Sequence, residues 1–139
     1  MNLVAGHDKT VYDWACKKFN RPLADYHSAF GLVKGDGPII GAVVFADYSG
    51  TNIEISYCGE RAMTPGVVRA LMAYCFGHLK VERVTARTPR DNKPMARWLP
   101  MMGFRLEGCL RHYYGPHRKH DALIFGLLKQ DGMRIARMK

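Results

Sequence analysis

The chain is poor in acid. Twelve Asp and Glu residues face 21 Lys and Arg over 139 residues, which leaves a formal charge of +9 and a pI near 9.6. That imbalance implies an anionic partner (nucleic acid, a ribosome or a polyphosphate cofactor) or a solvated basic surface. No apolar run approaches the length of a membrane span, so no membrane partner is expected. The N-terminal residues lack a basic stretch followed by an apolar block, so no signal peptide is expected. Four cysteines, Cys16, Cys58, Cys75 and Cys109, include no CxxC pair. Cys16 and Cys75 fall on apolar helical stripes, where a buried thiol is the default, so the expected setting is reducing and cytoplasmic. Repeats, linkers and low-complexity segments are missing too, which makes a single domain the simplest organisation.

What is present is ordinary for a folded chain: 47% hydrophobic and 24% charged residues. The organising stretch runs from Cys58 to Leu79. Thr64 suits a helix N-cap and Pro65 the first helical position, where a missing N–H is harmless. Val68, Leu71, Met72, Cys75, Phe76 and Leu79 then recur at the spacing of one buried helical stripe. A strand, Asn52 to Tyr57, leads into this helix. Its N-terminus carries Gly66, which allows close approach to the main chain, and Arg69, which adds a bidentate cation. Together with free N–H groups and the helix dipole they describe a phosphate site. The same features also describe a plain capped core helix.

Around this stretch the pattern predicts a first strand at Leu3–Ala5 and a helix from Asp8 with Val11, Trp14, Ala15, Lys18 and Phe19 on its buried side. Asn20-Arg21-Pro22 ends that helix, and Leu23 to His27 holds a weak further helical turn. Ser28–Lys34 and Pro38–Tyr48 read as a hairpin around Gly35-Asp36-Gly37. The run from Ile39 to Phe45 is apolar without alternation, so helices must cover both faces of its sheet. In Asn52–Tyr57, Ile53, Ile55 and Tyr57 face one way, and Asn52, Glu54 and Ser56 the other. A strand at Val81–Arg87, a helix at Lys93–Met101 closed by Gly103, and strands at Phe104–Tyr113 and His120–Leu128 complete the domain, residues 1–128. Residues 129–139 read as a short, basic, mobile tail. The fold class is α/β: a mixed, largely antiparallel sheet flanked by helices. Cys109, His112, His117 and His120 invite a zinc reading, but in one strand Cys109 and His112 point to opposite faces, and no metal is expected.

This order of elements resembles the GCN5-related N-acetyltransferase (GNAT) family. N-K-P-M-A-R-W-L-P-M-M-G-F (92–104) is similar to its asparagine, short helix and Gly-Phe signature. R-L-E-G-C-L-R (105–111) looks like the ribosomal-protein N-terminal acetyltransferase branch, and Asp121 resembles the aspartate that opens the last strand there. G-H-D, I-E-I-S and T-P-G-V-V-R-A are similar to small acetyltransferases of phages and prophages. The resemblance implies a GNAT, or acyl-CoA N-acyltransferase, fold and acetyl-CoA as co-substrate. The family's pyrophosphate loop falls on Met63, Thr64, Pro65, Gly66, Val67 and Val68, of which only the central glycine is kept, with Arg69 replacing the lost cation.

It further implies Glu54 as general base, a role that suits a carboxylate because partial burial can raise its pKa; the plain alternative is a solvated strand glutamate. Ser56 and the main chains of Ile55 and Tyr57 would line a cleft where pantetheine binds and an N–H holds the oxyanion. Asn92 would bind the cofactor arm, or simply cap the next helix. The family's acidic tyrosine falls on Leu99, with Tyr113 or Tyr114 as substitutes. The implied activity is acetyl transfer to a primary amine, of a small molecule or a protein, by direct attack in a ternary complex. Transfer to a nucleobase amine is a variant of it. The alternative is a catalytically degenerate, basic binding module for nucleic acid or the ribosome on the same scaffold. Nucleic acid is otherwise an unspecific partner, and the oligomeric state stays open, a dimer included.

Overall fold

In the computed structural model, residues 2–20, 23, 25–59 and 63–137 are described. They form β1 (Asn2–Val4), α1 (Asp8–Phe19), β2 (Tyr26–Val33), β3 (Ile39–Ala46), β4 (Asn52–Gly59) and α2 (Pro65–Met72). A π-helical turn, Ala73–His78, prolongs α2. Then come β5 (Arg83–Pro89), α3 (Lys93–Met101), β6 (Arg105–Leu110), a 3-10 turn at Arg118–His120, β7 (Ala122–Leu128) and α4 (Lys129–Ala136). The strands make one sheet in the order β1-β2-β3-β4-β5-β7-β6. Every neighbouring pair is antiparallel except β4 with β5. Among the described residues no helix is long and apolar enough to cross a membrane.

Unbroken apolarity in β3 reflects cover on both sides, as expected. Val43 and Phe45 face the larger core, with α2, the π turn and α3. Ala42 and Val44 face a smaller core under Val11 and Ala15 of α1. Asp8 ties α1 to the sheet by accepting the Ala29 N–H at 3.1 Å. On the outer half of that face Arg83 grips Glu107 through two hydrogen bonds, at 2.6 and 3.2 Å. The pair lies over Gly126, where an added Cβ would collide with Glu107 and Arg83.

Several boundaries differ from the sequence expectation, each for a local reason. Asn20 stops α1 in the left-handed region (φ 54°), its N–H bonded back to Cys16 and Lys17; Arg21 and Pro22 lie outside the described residues. No helical turn reaches His27, because Tyr26 already pairs with Ala46 in β2; Ala24 too is outside the described residues. The helix expected through Leu79 is α-helical only to Met72. Its wider π turn, closed by the Leu79 N–H on the Tyr74 carbonyl at 2.8 Å, turns Tyr74, Cys75 and Phe76 successively toward the sheet. Gly103 (φ 102°) does end α3: its N–H bonds to Pro100 and that of Phe104 to Leu99, a Schellman closure.

The basic tail is the largest difference. Residues 129–136 are helix α4, not a mobile strand of chain. Met133, Ile135 and Ala136 pack on the main core, and Gly132 is buried against Phe76. A Cβ at Gly132 would overlap the Phe76 ring, itself fixed in the core. Gly132→Ala therefore sets a helix-propensity gain of about 1 kcal/mol against overpacking of about 1–3 kcal/mol. Overpacking should win, and thermal melts should show a lowered Tm; an unchanged or raised Tm would mean α4 is not packed this way.

Candidate active site

Parallel pairing between β4 and β5 lasts only from Asn52 opposite Arg83 to Ile55 opposite Ala86. Beyond those residues β4 stays with β3 as far as Gly59, and β5 stays with β7 as far as Pro89. Two strands held by outer neighbours thus part from each other, and their facing main-chain groups are left without a ladder. The cleft so opened is lined by Ser56 and Tyr57 on one side and Arg87, Thr88 and Pro89 on the other. Val68, Leu71 and Met72 of α2 and Met95, Trp98 and Leu99 of α3 close it, with Asn92 and Tyr114 at its edge. Two further depressions share Met63 and Trp98 with it and extend it into a trough. One runs past Tyr57 and Cys58 to Lys18, the other past Pro65 and Arg69 to Met101 and Ile135. Such a shape suits a long, jointed ligand.

The N-terminus of α2 borders this trough. Thr64 caps it as expected, accepting the Val67 N–H on Oγ1 at 3.3 Å, while its carbonyl accepts the Val68 N–H at 3.0 Å. Pro65 has no N–H, so within this first turn Gly66 supplies the N–H without a partner among the described residues. A Cβ on Gly66 would meet only the Arg69 guanidinium, 3.7 Å away, which therefore lies back over the same turn. Of the residues expected to form an anion site, Gly66 and Arg69 stand together at this helix end. Val67 and Val68 contribute buried side chains, and Thr64 the cap.

Glu54 sits one residue before the strands part, opposite Thr85 and Ala46, on the face away from buried Ile53 and Ile55. Its side chain is 17% exposed and pairs with Arg87, Nη2 to Oε1, at 2.9 Å. Burial pushes the carboxyl above the usual glutamate range; Arg87 pulls it down, less strongly, and Asp47 pushes it further up. Arg87 also donates through Nη1 to the Tyr113 hydroxyl at 2.6 Å, with the tyrosine ring 4.8 Å from the guanidinium carbon. Tyr113 is half exposed and outside the cleft; its neighbour Tyr114 is the one at the cleft edge. Asn92 caps α3, as one of its two expected roles requires, accepting the Met95 N–H at 3.4 Å, and it also lines the cleft. Ile55, Ser56 and Tyr57 are where the sequence placed them. Arg87, Thr88 and Trp98 were missed, because neither the β4–β5 register nor the point of parting has a sequence signal.

The loop after β6 is fastened by Asp121, which is buried. It accepts the His112 N–H on Oδ1 at 2.9 Å and the Cys109 S–H on Oδ2 at 3.6 Å, and Arg90 lies 3.4 Å away as an ion pair without hydrogen-bond alignment. Strand β6 ends at Leu110 and His112 is left-handed (φ 54°), so the single strand assumed for Cys109 and His112 does not exist; both converge on Asp121 instead.

Residues 6–105, more than two thirds of the chain, match the family model for the acetyltransferase (GNAT) domain. No curated protein matches the sequence. Among solved structures, a mutant spermidine N-acetyltransferase SpeG from Vibrio cholerae superposes with a TM-score of 0.75 at 13% identity, covering 95% of each chain. A dodecameric structure of that Vibrio enzyme gives 0.74 at 14% identity, over 93% of this chain and 94% of the other. A GNAT-family acetyltransferase from Bacillus anthracis gives 0.59 at 22% identity, over 73% and 66%.

The His112 N–H, and after it Cys109 and Arg90, hold Asp121 below the ordinary aspartate range against an opposing effect of burial. A depressed carboxyl stabilises the fold above its unfolded-state pKa, and the contribution is lost as pH falls through the folded value. Asp121→Asn should therefore lower stability at neutral pH and flatten the acid limb of the stability profile, measured by denaturant midpoints. An acid limb identical to that of the unaltered protein would remove Asp121 from this role.

Proposed function

The chain belongs to the family of GNAT acetyltransferases, and from that premise we propose that it moves an acetyl group from acetyl-CoA to a primary amine by direct attack in a ternary complex. The observation that carries this reading is the parting of β4 and β5 after Ile55, one residue past Glu54, in front of a helix end bearing Gly66 and Arg69. The residues present fit the co-substrate. Pyrophosphate finds the Gly66 N–H, the α2 dipole and the Arg69 fork. The pantetheine arm finds the edge of β4 at Ser56, where pairing with β5 has ended, and Asn92 across from it.

Glu54 takes the proton that the acceptor ammonium must lose before its nitrogen is nucleophilic. The raised carboxyl pKa brings the base nearer to working pH, where a proton acceptor is most effective. Arg87 holds the carboxylate in one orientation and keeps its pKa from rising further. A main-chain N–H of β4 past Ile55 faces the oxyanion of the tetrahedral intermediate. A binding module without turnover would need neither a desolvated carboxylate at the fork nor a trough of this length. That favours the enzyme over the alternative drawn from net charge.

Glu54→Gln keeps shape and hydrogen-bonding capacity, and kcat should fall ~10²–10⁴-fold while acetyl-CoA affinity holds. A variant with full kcat at neutral pH would make Glu54 a bystander. At the other end of the trough, Gly66→Asp puts a negative charge where the helix tolerates one and a phosphate does not. Calorimetry on Gly66→Asp and Arg69→Ala should show acetyl-CoA binding weakened about tenfold or more. Native affinity in both folded variants would move the pyrophosphate elsewhere.

A further inference from the structure

Thr88 is 3% exposed, and its hydroxyl oxygen has no hydrogen-bond partner among the described residues. It follows Val84 and Ala86 on the core-facing side of β5, two residues past the last pairing with β4, and it lines the cleft. A buried hydroxyl left unpaired destabilises a fold, and a valine would fill the same space without that penalty. The group therefore calls for a partner that the described residues do not provide. Resting on the acetyltransferase reading above, the location limits what that partner is. The amine must reach Glu54, so the thioester carbonyl belongs at the fork between Ile55 and Ala86. Its sulfur, one bond further, lies on the way to Thr88, which stands about 6.6 Å along the strand from Ala86. Across the cleft Leu99 of α3 is buried and offers no polar atom.

We propose that the Thr88 hydroxyl donates a hydrogen bond to the CoA sulfur as it departs. In that step the amine nitrogen forms the C–N bond, the C–S bond breaks, and its electron pair passes to sulfur. Glu54 takes the first ammonium proton before attack, and the second, left on nitrogen once the C–N bond has formed, ends on the departed sulfur, which leaves as the CoA thiol. Thr88 keeps its own proton and stabilises the thiolate by a charge-assisted bond, which is stronger than a neutral one. Thr88 is then a catalytic residue on the leaving-group side, opposite in role and in sheet face to Glu54.

Thr88→Val and Thr88→Ser separate this role from a packing role. Thr88→Val should melt no lower than the unaltered protein, because an unpaired polar atom has been removed, yet its kcat should fall about tenfold or more with acetyl-CoA affinity retained. Thr88→Ser should keep most of the rate. A second readout needs no acceptor and no turnover: calorimetric binding of CoA and of desulfo-CoA as a function of pH. In the unaltered protein the affinity for CoA relative to desulfo-CoA should climb as the thiol ionises. In Thr88→Val that climb should shrink about tenfold, and in Thr88→Ser it should persist. Equal ratios in Thr88→Val and the unaltered protein would overturn the assignment, as would lost acetyl-CoA affinity with kcat intact, since the hydroxyl would then serve the cofactor arm. A protein that binds acetyl-CoA but transfers nothing to any amine would refute the acetyltransferase reading, and the CoA to desulfo-CoA ratio would still decide on Thr88. Where Thr88→Val does not fold, Thr88→Ala takes its place in both measurements.

Discussion

The whole site depends on one conflict of hydrogen bonding. β4 and β5 each have a second neighbour with which pairing continues to the strand end, β3 on one side and β7 on the other. Sheet twist separates those neighbours progressively, and past Ile55 and Ala86 the two strands cannot follow both. The result is an unladdered edge in the middle of a sheet, which costs free energy unless something pairs with it. A ligand with its own amides can do so. The rest of the site, from the roof of α2 and α3 to the buried hydroxyl of Thr88, is arranged around that gap.

Charge on the chain is distributed in keeping with this. Arg83 and Arg87 of β5, and Arg90 just past its end, face Glu107, Glu54 and Asp121 in turn. These pairs differ in what they do. Arg83 and Glu107 are both partly exposed, and such a pair contributes little to stability. Asp121 gathers the ends of a loop through a backbone N–H and a thiol as well as Arg90. The Glu54–Arg87 pair lies at the fork, where burial dominates the carboxyl's proton affinity. A basic surplus of +9 thus leaves this glutamate half buried and ion-paired, with its pKa still raised.

The family assignment and the structural likenesses point the same way at different strengths. The domain match covers residues 6–105 and fixes the family. The Vibrio structures, at 13–14% identity, share the fold over nearly the whole of both chains. Their spermidine acceptor belongs to them. On this chain the cations Arg111, Arg118 and Lys119 lie exposed in the loop after β6, beside Tyr113 and Tyr114.

Local chemistry was legible wherever a residue acts through its immediate neighbours. The Thr64 cap with Pro65, the Gly103 closure, the Gly35-Asp36-Gly37 hairpin and the alternation that sets Glu54 against Ile53 and Ile55 are all properties of a few adjacent residues. Two-sided burial of β3 also followed from its composition alone. Long-range registers did not. No local pattern says that β4 and β5 stop pairing at Ile55 and Ala86, that Arg87 reaches both Glu54 and Tyr113, or that Thr88 is buried without a partner among the described residues. The tail was misread for the same reason: the stripe of Met133, Ile135 and Ala136 is short and basic around its edges, and only the surface left open beside Phe76 turns it into a packed helix. Sequence determined which residues could cap, turn and alternate, because those preferences are steric and local. Tertiary structure decided which of them share a cleft, because strand neighbours separated by dozens of residues set where the sheet must open.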